Sequence, residues 1–396
     1  MDALMLPLNW QRVRLGDICE IGNGGAYETL IVENGNFKLI SLNSIDIDGN
    51  LKNTMKRVNF YDNSLKQDDI VMVLSDVAHG DFLGLCAVIP SNDYVLNQRM
   101  GRLRIRNDCI NILFLRLYIN ANQKYFKMQG QGSSQLNLSK KAIEDFEILL
   151  PPLNEQSAIA NILSALDRYL CALRVLILKK ESVKKALSFE LLSQRKRLKG
   201  FNQAWQRVRL GDICEIGNGG AYETLIVENG NFKLISLNSI DIDGNLKNTM
   251  KRVNFYDNSL KQDDIVMVLS DVAHGDFLGL CAVIPSNDYV LNQRMGRLRI
   301  RNDCINILFL RLYINANQKY FKMQGQGSSQ LNLSKKAIED FEILLPPLNE
   351  QNAIANILSG LDNEITSLKN KKRQFDNIKK ALNHDLISAK IRVLKK

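Results

Sequence analysis

An exact internal repeat constrains this chain more than any other feature of its sequence. Every residue from Trp10 to Gln156 recurs 195 positions later, from Trp205 to Gln351, in a chain of 396 residues. A core accepts volume-conserving substitutions, so packing alone does not demand such identity, which points to gene conversion or deliberate construction. Beyond the repeat identity falls quickly, and Ser157 stands opposite Asn352. The sequence therefore predicts one globular domain present twice, with a diverged segment after each copy.

A regular spacing of apolar residues predicts a long helix after each copy. Two seven-residue series, four residues apart, run through each segment. In the first segment the two series are Ile159, Leu166, Leu173, Lys180 and Leu187, and Leu163, Leu170, Ile177, Lys184, Leu191 and Leu198. In the second segment they are Ile354, Leu361, Leu368, Phe375 and Leu382, and Leu358, Ile365, Lys372, Lys379, Leu386 and Val393. Such a seam is typical of a coiled coil, and each helix would span roughly 65 Å. We expect Asn154 and Asn349 to cap the two helices, Gly200 to end the first, and the helices to pair antiparallel.

Within the repeat, short apolar runs and turn signals predict strands and helices together. Residues 70–74, 85–89 and 101–106 are typical of short strands, and residues 110–125 of a helix. The predicted fold class is α+β, with two globular α+β domains separated by two long helices that form an antiparallel coiled coil. We expect the domains to span residues 1–153 and 200–348, and the helices residues 154–199 and 349–396.

The net charge of +10 indicates a polyanionic partner, but it is unevenly distributed. Residues 11–153 and their copy, 206–348, each carry 16 basic and 16 acidic residues and are neutral. Residues 154–200 carry 10 basic and 4 acidic residues, and residues 349–396 carry 10 and 5. Any nucleic-acid surface on the two domains is therefore expected to be a local patch and not a global field.

Cysteine usage and hydropathy predict a cytoplasmic protein that does not enter a membrane. The seven cysteines form no CxxC pair and are odd in number, which disfavours a disulfide framework and a structural zinc site. No apolar run reaches the ~18–20 residues of a membrane span, and the first residues lack the pattern of a signal peptide.

An alternating arginine run is the first candidate DNA contact. In a strand, Arg102, Arg104 and Arg106 would share one face, with Gln98 and Arg99 just before them. Arginine suits bidentate contact with phosphate or guanine. The alternative is a solvated strand face paired with acidic neighbours, which the neutral charge of the domain makes realistic.

A polar, glycine-rich segment, residues 130–141, is the second candidate. Its small donors and amides can contact bases or phosphates, and it ends in two lysines. The alternative is a connection whose Ser139 caps a helix from Lys140 to Phe146. The candidate residues here are Ser133, Ser134, Gln135, Asn137, Lys140 and Lys141. The equivalent candidates of both segments in the second copy are Gln293, Arg294, Arg297, Arg299, Arg301, Ser328, Ser329, Gln330, Asn332, Lys335 and Lys336.

The remaining motifs do not favour catalysis. Residues 22–25 (Gly-Asn-Gly-Gly) lack the Lys-Ser/Thr of a phosphate loop, so a tight turn is the better interpretation. His79 lies near a serine and an aspartate, but proximity in sequence does not make a triad, and three histidines in the chain give no support for a metal site. We therefore expect no catalytic residue, no metal and no cofactor in this chain.

Several segments together resemble the specificity subunit of type I restriction-modification systems, over essentially the whole chain. The resemblance rests on the run of residues 10–17 (WQRVRLGD), on residues 96–103 (LNQRMGRL), on residues 132–139 (GSSQLNLS), on residues 196–201 (KRLKGF) and, above all, on residues 150–156 (LPPLNEQ) and their copy at 345–351. In one respect the chain departs from the family pattern, because the two domains of such subunits usually differ in sequence.

The resemblance implies two target-recognition domains, each reading half of a split site in double-stranded DNA. It implies a non-catalytic subunit whose helical regions dock two modification (methyltransferase) subunits. S-adenosylmethionine, ATP and Mg are then expected in the partner subunits, with restriction subunits that translocate and cut DNA as further partners. Since the two domains are identical and the helices are expected to run antiparallel, we expect an interrupted palindrome as the target.

Three other classes of function make different predictions. A stand-alone DNA-binding regulator would bind its site tightly without a partner. A nuclease would need a divalent metal, and a purely structural coiled-coil scaffold would not bind DNA.

Overall fold

Both repeats begin with a strand that pairs with the last strand before the long helix. The computed structural model describes residues 9–77, 80–272 and 275–393. In the first copy Gln11 lies opposite Leu150 and Arg14 opposite Glu147, and the second copy has the same antiparallel register. Each repeat is thus closed on itself immediately before its helix begins.

The elements of the two copies follow in the same order. The first copy and its helix contain β1 (Gln11–Arg14), α1 (Leu15–Ile18), β2 (Cys19–Asn23), β3 (Ile31–Val32), β4 (Phe37–Ile40), β5 (Arg57–Val58), β6 (Ile70–Val73), β7 (Ser75–Val77), β8 (Cys86–Val88), β9 (Tyr94–Leu96), β10 (Met100–Ile105), α2 (Ile112–Ala121), α3 (Gln123–Gln129), β11 (Gln135–Asn137), α4 (Lys140–Glu144), β12 (Glu147–Leu150) and α5 (Leu153–Leu192). The second contain β13 (Gln206–Arg209), α6 (Leu210–Ile213), β14 (Cys214–Asn218), β15 (Phe232–Ile235), β16 (Arg252–Val253), β17 (Ile265–Val268), β18 (Ser270–Val272), β19 (Cys281–Val283), β20 (Tyr289–Leu291), β21 (Met295–Ile300), α7 (Ile307–Ala316), α8 (Gln318–Gln324), β22 (Gln330–Asn332), α9 (Lys335–Glu339), β23 (Glu342–Leu345) and α10 (Leu348–Ile387). Single 3-10 turns lie at Glu28–Leu30, Leu42–Ser44, Glu223–Leu225 and Leu237–Ser239.

The chain divides into two units of the same construction. Unit 1 comprises Met1–Arg174 and Asn370–Lys396, and unit 2 comprises Val175–Lys369. Each unit contains one repeat, the first half of the helix that follows it, and the second half of the other long helix. The predicted architecture of two mixed α and β domains with long helices is confirmed.

A four-stranded antiparallel sheet, in the order β2-β10-β6-β8, organises the first repeat, and β14-β21-β17-β19 organises the second. Strand β6 is buried on both faces: Ile70 and Met72 belong to the core shared with α2, while Val71 and Val73 belong to the core on the opposite side. This explains why the strand is a continuous apolar run without alternation. A second sheet, β3-β5-β4-β9, contains the parallel pair β4 and β9.

Two helix predictions within the repeat need correction. Residues 110–125 do not form one helix, because α2 ends at Ala121 and α3 begins at Gln123. The side chain of Asn122 donates to the carbonyl of Tyr118 and competes with the backbone at that point. Helix α4 ends at Glu144, before the predicted Phe146.

The ends of the long helices also differ from the prediction. Helix α5 begins at Leu153, so Asn154 lies in its first turn and is not the cap, and Asn349 is placed in the same way in α10. The carbonyl of Pro152 accepts from the amide of Gln156 and starts the helical hydrogen bonds. Helix α5 ends at Leu192, so Gly200, with φ of +96°, belongs to the loop that follows. Each helix has 40 residues, which corresponds to roughly 60 Å.

Inside each unit the two helix halves run antiparallel, as predicted. In unit 1, Asp167 pairs with Lys379, and the ring of Tyr169 lies 4.8 Å from that of Phe375. In unit 2, Lys180 pairs with Glu364 at 2.9 Å and Glu181 with Lys369 at 2.8 Å. Of the 18 apolar residues in the series, ten are buried: Ile159, Leu163, Leu170, Leu173, Ile177, Leu191, Ile354, Leu358, Ile365 and Leu386. None of the helices within the described ranges is long and apolar enough to span a membrane.

Candidate nucleic-acid interface

One residue, Leu74, brings the two predicted DNA-contacting segments together. Its amide donates to the carbonyl of Arg99 at 2.9 Å, and its carbonyl accepts from the amide of Leu138 at 2.8 Å. The next strand, β7, pairs with β11 so that Val77 lies opposite Gln135. Leu269 makes the same two contacts in the second copy, with Arg294 and Leu333. Arg99 and Leu138, 39 positions apart in sequence, are thus both bonded to Leu74, and the two segments lie next to each other.

The glycines of residues 22–25 line the same surface and do not form the predicted tight turn. Gly25 donates to the carbonyl of Leu96, and its own carbonyl accepts from Gln98 at 2.6 Å. A Cβ on Gly24 would lie 2.1 Å from the carbonyl oxygen of Asn97. Neither glycine has a positive φ. These glycines are needed because two extended backbones approach closely here, not because the chain reverses.

We call Gln98, Arg99, Ser133, Ser134 and Gln135, with their copies Gln293, Arg294, Ser328, Ser329 and Gln330, the loop surface. Arg99, Ser133 and Ser134 are exposed, and Gln98 and Gln135 are half-buried. Val77, beside Gln135, is an exposed apolar residue of the same surface, at 60% relative exposure. The surface therefore offers cationic, hydroxyl, amide and methyl groups to a ligand, which are the groups that contact bases and phosphates.

Asn137, also a predicted contact, is exposed and links neighbouring residues of this surface by hydrogen bonds. Its Oδ1 accepts from Ser75 Oγ at 2.7 Å and from Gln135 Nε2 at 3.1 Å. Asn332 repeats both contacts with Ser270 and Gln330. Because its carbonyl oxygen is already occupied twice, Asn137 orients the side chain of Gln135.

The arginines of β10 are engaged inside the domain, which corrects the prediction that they form a free cationic face. Arg102 pairs with Glu20 and donates to the carbonyl of Ser64 at 3.0 Å. Arg104 donates twice to Asp69, at 2.8 and 2.7 Å, and Asp69 is buried. Hydrogen bonding to that carboxylate raises the pKa of the Arg104 guanidinium. Arg297 and Arg299 repeat these pairs with Glu215 and Asp264. The alternative, a strand face paired with acidic neighbours, describes these four arginines.

Three further candidates lie outside the loop surface. Arg106 is exposed at the other end of β10, roughly 20 Å from Met100 along the strand. Lys140 lies 3.6 Å from Glu144 in α4, and Lys141 beside it is exposed. Ser139 accepts from the amide of Ala142 and caps this helix, as predicted. Arg301, Lys335 and Lys336 are placed in the same way in the second copy.

A buried ion pair at the start of each long helix was not predicted. Glu155, 1% exposed, accepts from Trp10 Nε1 at 3.2 Å and from Arg392 at 2.8 Å. Glu350 accepts from Trp205 Nε1 at 3.0 Å and from Arg197 at 2.6 Å. Arg197 and Arg392 are 195 positions apart, the offset of the repeat, although the residues around them have diverged. This spacing was the sequence signal from which the two arginines could have been recognised as equivalent.

Possible metal ligands and buried thiols were compared with what a reactive site in the described parts of the chain would need. Within them, no group of three or more His, Cys, Asp or Glu residues could hold a metal ion. Burial raises the pKa of the Cys19 and Cys214 thiols to about 12, so neither is a thiolate near neutral pH. His79 and its copy, His274, lie outside the described residues.

Comparisons with known proteins agree with this arrangement. A family model described as the type I restriction modification DNA specificity domain matches residues 7–181 and again residues 202–375. The type I restriction enzyme MjaVIII specificity subunit of Methanocaldococcus jannaschii is 28% identical, over 99% of this chain and 95% of that protein. Among solved structures, the S subunit of a type I restriction-modification system from M. genitalium has a TM-score of 0.68 at 17% identity, over 98% of both chains. A chain from a study of complex assembly and conformational transition of the type I R-M system has a TM-score of 0.55 at 16% identity, over 96% of this chain and 98% of that one.

Proposed function

The chain belongs to the family of type I restriction modification DNA specificity domains, and we propose that it recognises a two-part DNA sequence for a type I restriction-modification complex. The observation that carries the proposal is the loop surface, present once in each unit. Its side chains come from separate segments that Leu74 and Leu269 hold side by side. A surface of exposed polar groups on a rigid backbone suits recognition of base edges.

Charge supports a division of labour between the domains and the helices. The repeats are neutral overall, while the segments that follow them carry the positive excess. A neutral domain with a few free donors is suited to discrimination between bases, whereas non-specific affinity for phosphate needs a concentration of positive charge. We propose that most of the phosphate attraction comes from the basic segments and from partner subunits.

The long helices are the proposed docking site for two methyltransferase subunits. Apolar side chains remain exposed on them outside the seam, among them Val175 at 60%, Leu178 at 55% and Ile378 at 45%. Exposed apolar groups on a helix of this length are suited to a protein partner. The partners would supply S-adenosylmethionine binding and methylation, and restriction subunits would supply ATP and Mg chemistry, so that this chain itself acts without catalysis.

Identity of the two repeats predicts the symmetry of the target. Two identical loop surfaces must read the same bases. The antiparallel direction of the helices within each unit favours an inverted over a direct arrangement of the two half-sites, since two-fold symmetry in a protein corresponds to two-fold symmetry in its DNA. We propose an interrupted palindrome, with the methylated base at the same position on each strand.

Methylome sequencing tests the proposal. Cells that express this chain with its methyltransferase subunit should carry one new methylated motif: a half-site, a fixed unread spacer and the reverse complement of the half-site. Cells with the methyltransferase subunit alone are the control and should lack the motif. A direct repeat, or two unrelated half-sites, would contradict the inverted arrangement. Absence of any new motif, together with tight specific DNA binding by the chain alone, would instead favour a stand-alone regulator.

A further inference from the structure

We propose that Arg99 and Arg294 each read one guanine, so that every half-site of the target contains a G·C pair at a fixed position. The inference rests on the proposed function and assigns the recognition chemistry to one side chain of the loop surface.

The backbone at Arg99 indicates that this side chain is there for a purpose other than folding. Arg99 has φ of +68° and Arg294 of +69°, in the left-handed region. Asn63 and Asp68 also have positive φ, but Asn and Asp tolerate this conformation. Gln194 and Ala389 adopt it just after the two long helices end, where a left-handed residue is common. Arg99 precedes a strand and adopts it at a cost. Glycine would adopt it freely. An arginine kept where glycine fits better suggests that its guanidinium is needed.

The same backbone is held firmly on both sides. The carbonyl of Arg99 accepts from Leu74, the preceding Gln98 donates to Gly25, and Met100 begins β10 and is fully buried. This support fixes the point from which the Arg99 side chain leaves the backbone, as a site that discriminates between bases requires.

The guanidinium itself is free to bind a ligand. Arg99 is exposed, and in the described parts of the chain its side chain forms no hydrogen bond or ion pair. Arg102 and Arg104, a few residues further on, are both paired with carboxylates. Of these neighbouring arginines, only Arg99 offers an unoccupied fork of N–H donors at the loop surface.

Guanine is the base that fits this fork. In the major groove guanine presents two acceptors, O6 and N7, which match two parallel N–H donors. Adenine presents N7 beside an amino donor, so one arm of the fork would face a like group. Lysine would keep the charge but not the bidentate geometry.

The experiment compares two double variants of the full chain in complex with its methyltransferase subunits. R99K/R294K keeps the charge without the fork, and R99G/R294G removes the side chain but relieves the backbone. R106K/R301K is the matched control, since Arg106 lies at the other end of β10. DNA binding is measured for the motif that methylome sequencing identifies. It is also measured for each variant of that motif in which the same base is changed in both half-sites, at two or more salt concentrations.

We expect the wild-type complex to prefer guanine at one symmetric position by about 5- to 150-fold. Both Arg99 variants should lose most of that preference while discrimination elsewhere in the half-site persists, and the control should keep it. R99G/R294G should melt no lower than the wild type, because glycine relieves the left-handed residue.

Three outcomes would overturn the assignment. They are an unchanged guanine preference in the two Arg99 variants, a weakening that is uniform across all sequences with a smaller salt dependence (the sign of a phosphate contact), and a lowered melting temperature of R99G/R294G. If the wild-type complex itself shows no sequence preference, it is the proposed function that fails.

Discussion

The two units share one recognition domain, residue for residue, but join it to helices that are not the same. The pairs inside the domain recur unchanged, for example Arg104 with Asp69 and Arg299 with Asp264. The helices differ. In unit 1 Tyr169 packs against Phe375, whereas the residues 195 positions away, Glu364 and Lys180, form an ion pair in unit 2.

This difference shows what each part of the molecule must conserve. The seam requires only that the two facing side chains suit each other, and either an aromatic pair or an ion pair meets that requirement. The ion pair at the helix start, by contrast, is kept in both units, with Glu155 and Arg392 in one and Glu350 and Arg197 in the other. Its carboxylate is buried and cannot lose its partners without cost.

The chain contains a natural reporter for each unit. Its two tryptophans are Trp10 in unit 1 and Trp205 in unit 2. W205F leaves fluorescence from unit 1 alone, and W10F leaves fluorescence from unit 2 alone. The following comparisons are made in these two backgrounds.

The largest expected difference lies in the centre of the seam. Leu173 is 6% exposed, whereas its counterpart Leu368 is half-buried. Leu173→Glu should lower the free energy of unfolding of unit 1 by about 3–5 kcal/mol and abolish assembly with the methyltransferase subunit, because it buries a charge and loses apolar contact. Leu368→Glu should cost unit 2 clearly less. Denaturant unfolding measures both, and equal losses would contradict the unequal seam.

A smaller and equal effect is expected inside the identical domains. Arg104→Ala and Arg299→Ala each leave a buried aspartate without its cation, which should cost about 1–3 kcal/mol in either unit. The sequence alone suggested that these arginines neutralise phosphates. Because both arginines are paired with aspartates inside the domain, we now expect the opposite. The salt dependence of DNA binding should stay unchanged in the double variant. A smaller salt slope with unchanged stability would restore the DNA-contact role.

The smallest effect concerns the exchanged pair in the seam. Tyr169→Glu places a carboxylate against Phe375 and should cost unit 1 about 1–2 kcal/mol. Phe375→Lys should then recover most of that loss, since the two changes recreate the ion pair of unit 2. Lys180→Phe and Glu364→Tyr form the reverse exchange in unit 2, where the single change should cost below about 1 kcal/mol because the ion pair is partly exposed. Double-mutant cycles measure the coupling, and additive losses would mean that these side chains do not interact.

The strands of the domain show how far prediction from sequence reached. The apolar content of residues 70–74 and the alternation in residues 101–106 predicted strands, and the structure has a strand in each segment. The break at Asn122 was missed because its cause, a side chain that donates to Tyr118, depends on local geometry. For the candidate site, alternation predicted correctly that Arg102 and Arg104 share a face but could not reveal which acids lie opposite them.

By itself, the sequence determined that this protein has two equal domains and two long helices with a mostly apolar seam. Repeat identity and seven-residue spacing are properties of the chain that need no knowledge of its folding. Only the tertiary structure decided which polar side chains are free. Glu20 and Asp69, from neighbouring elements, pair with Arg102 and Arg104. Arg99, whose own backbone is left-handed, pairs with neither of them. Hydrogen bonds act over about 3 Å, so the partner of a charged group is settled by which distant segments the fold brings to its side.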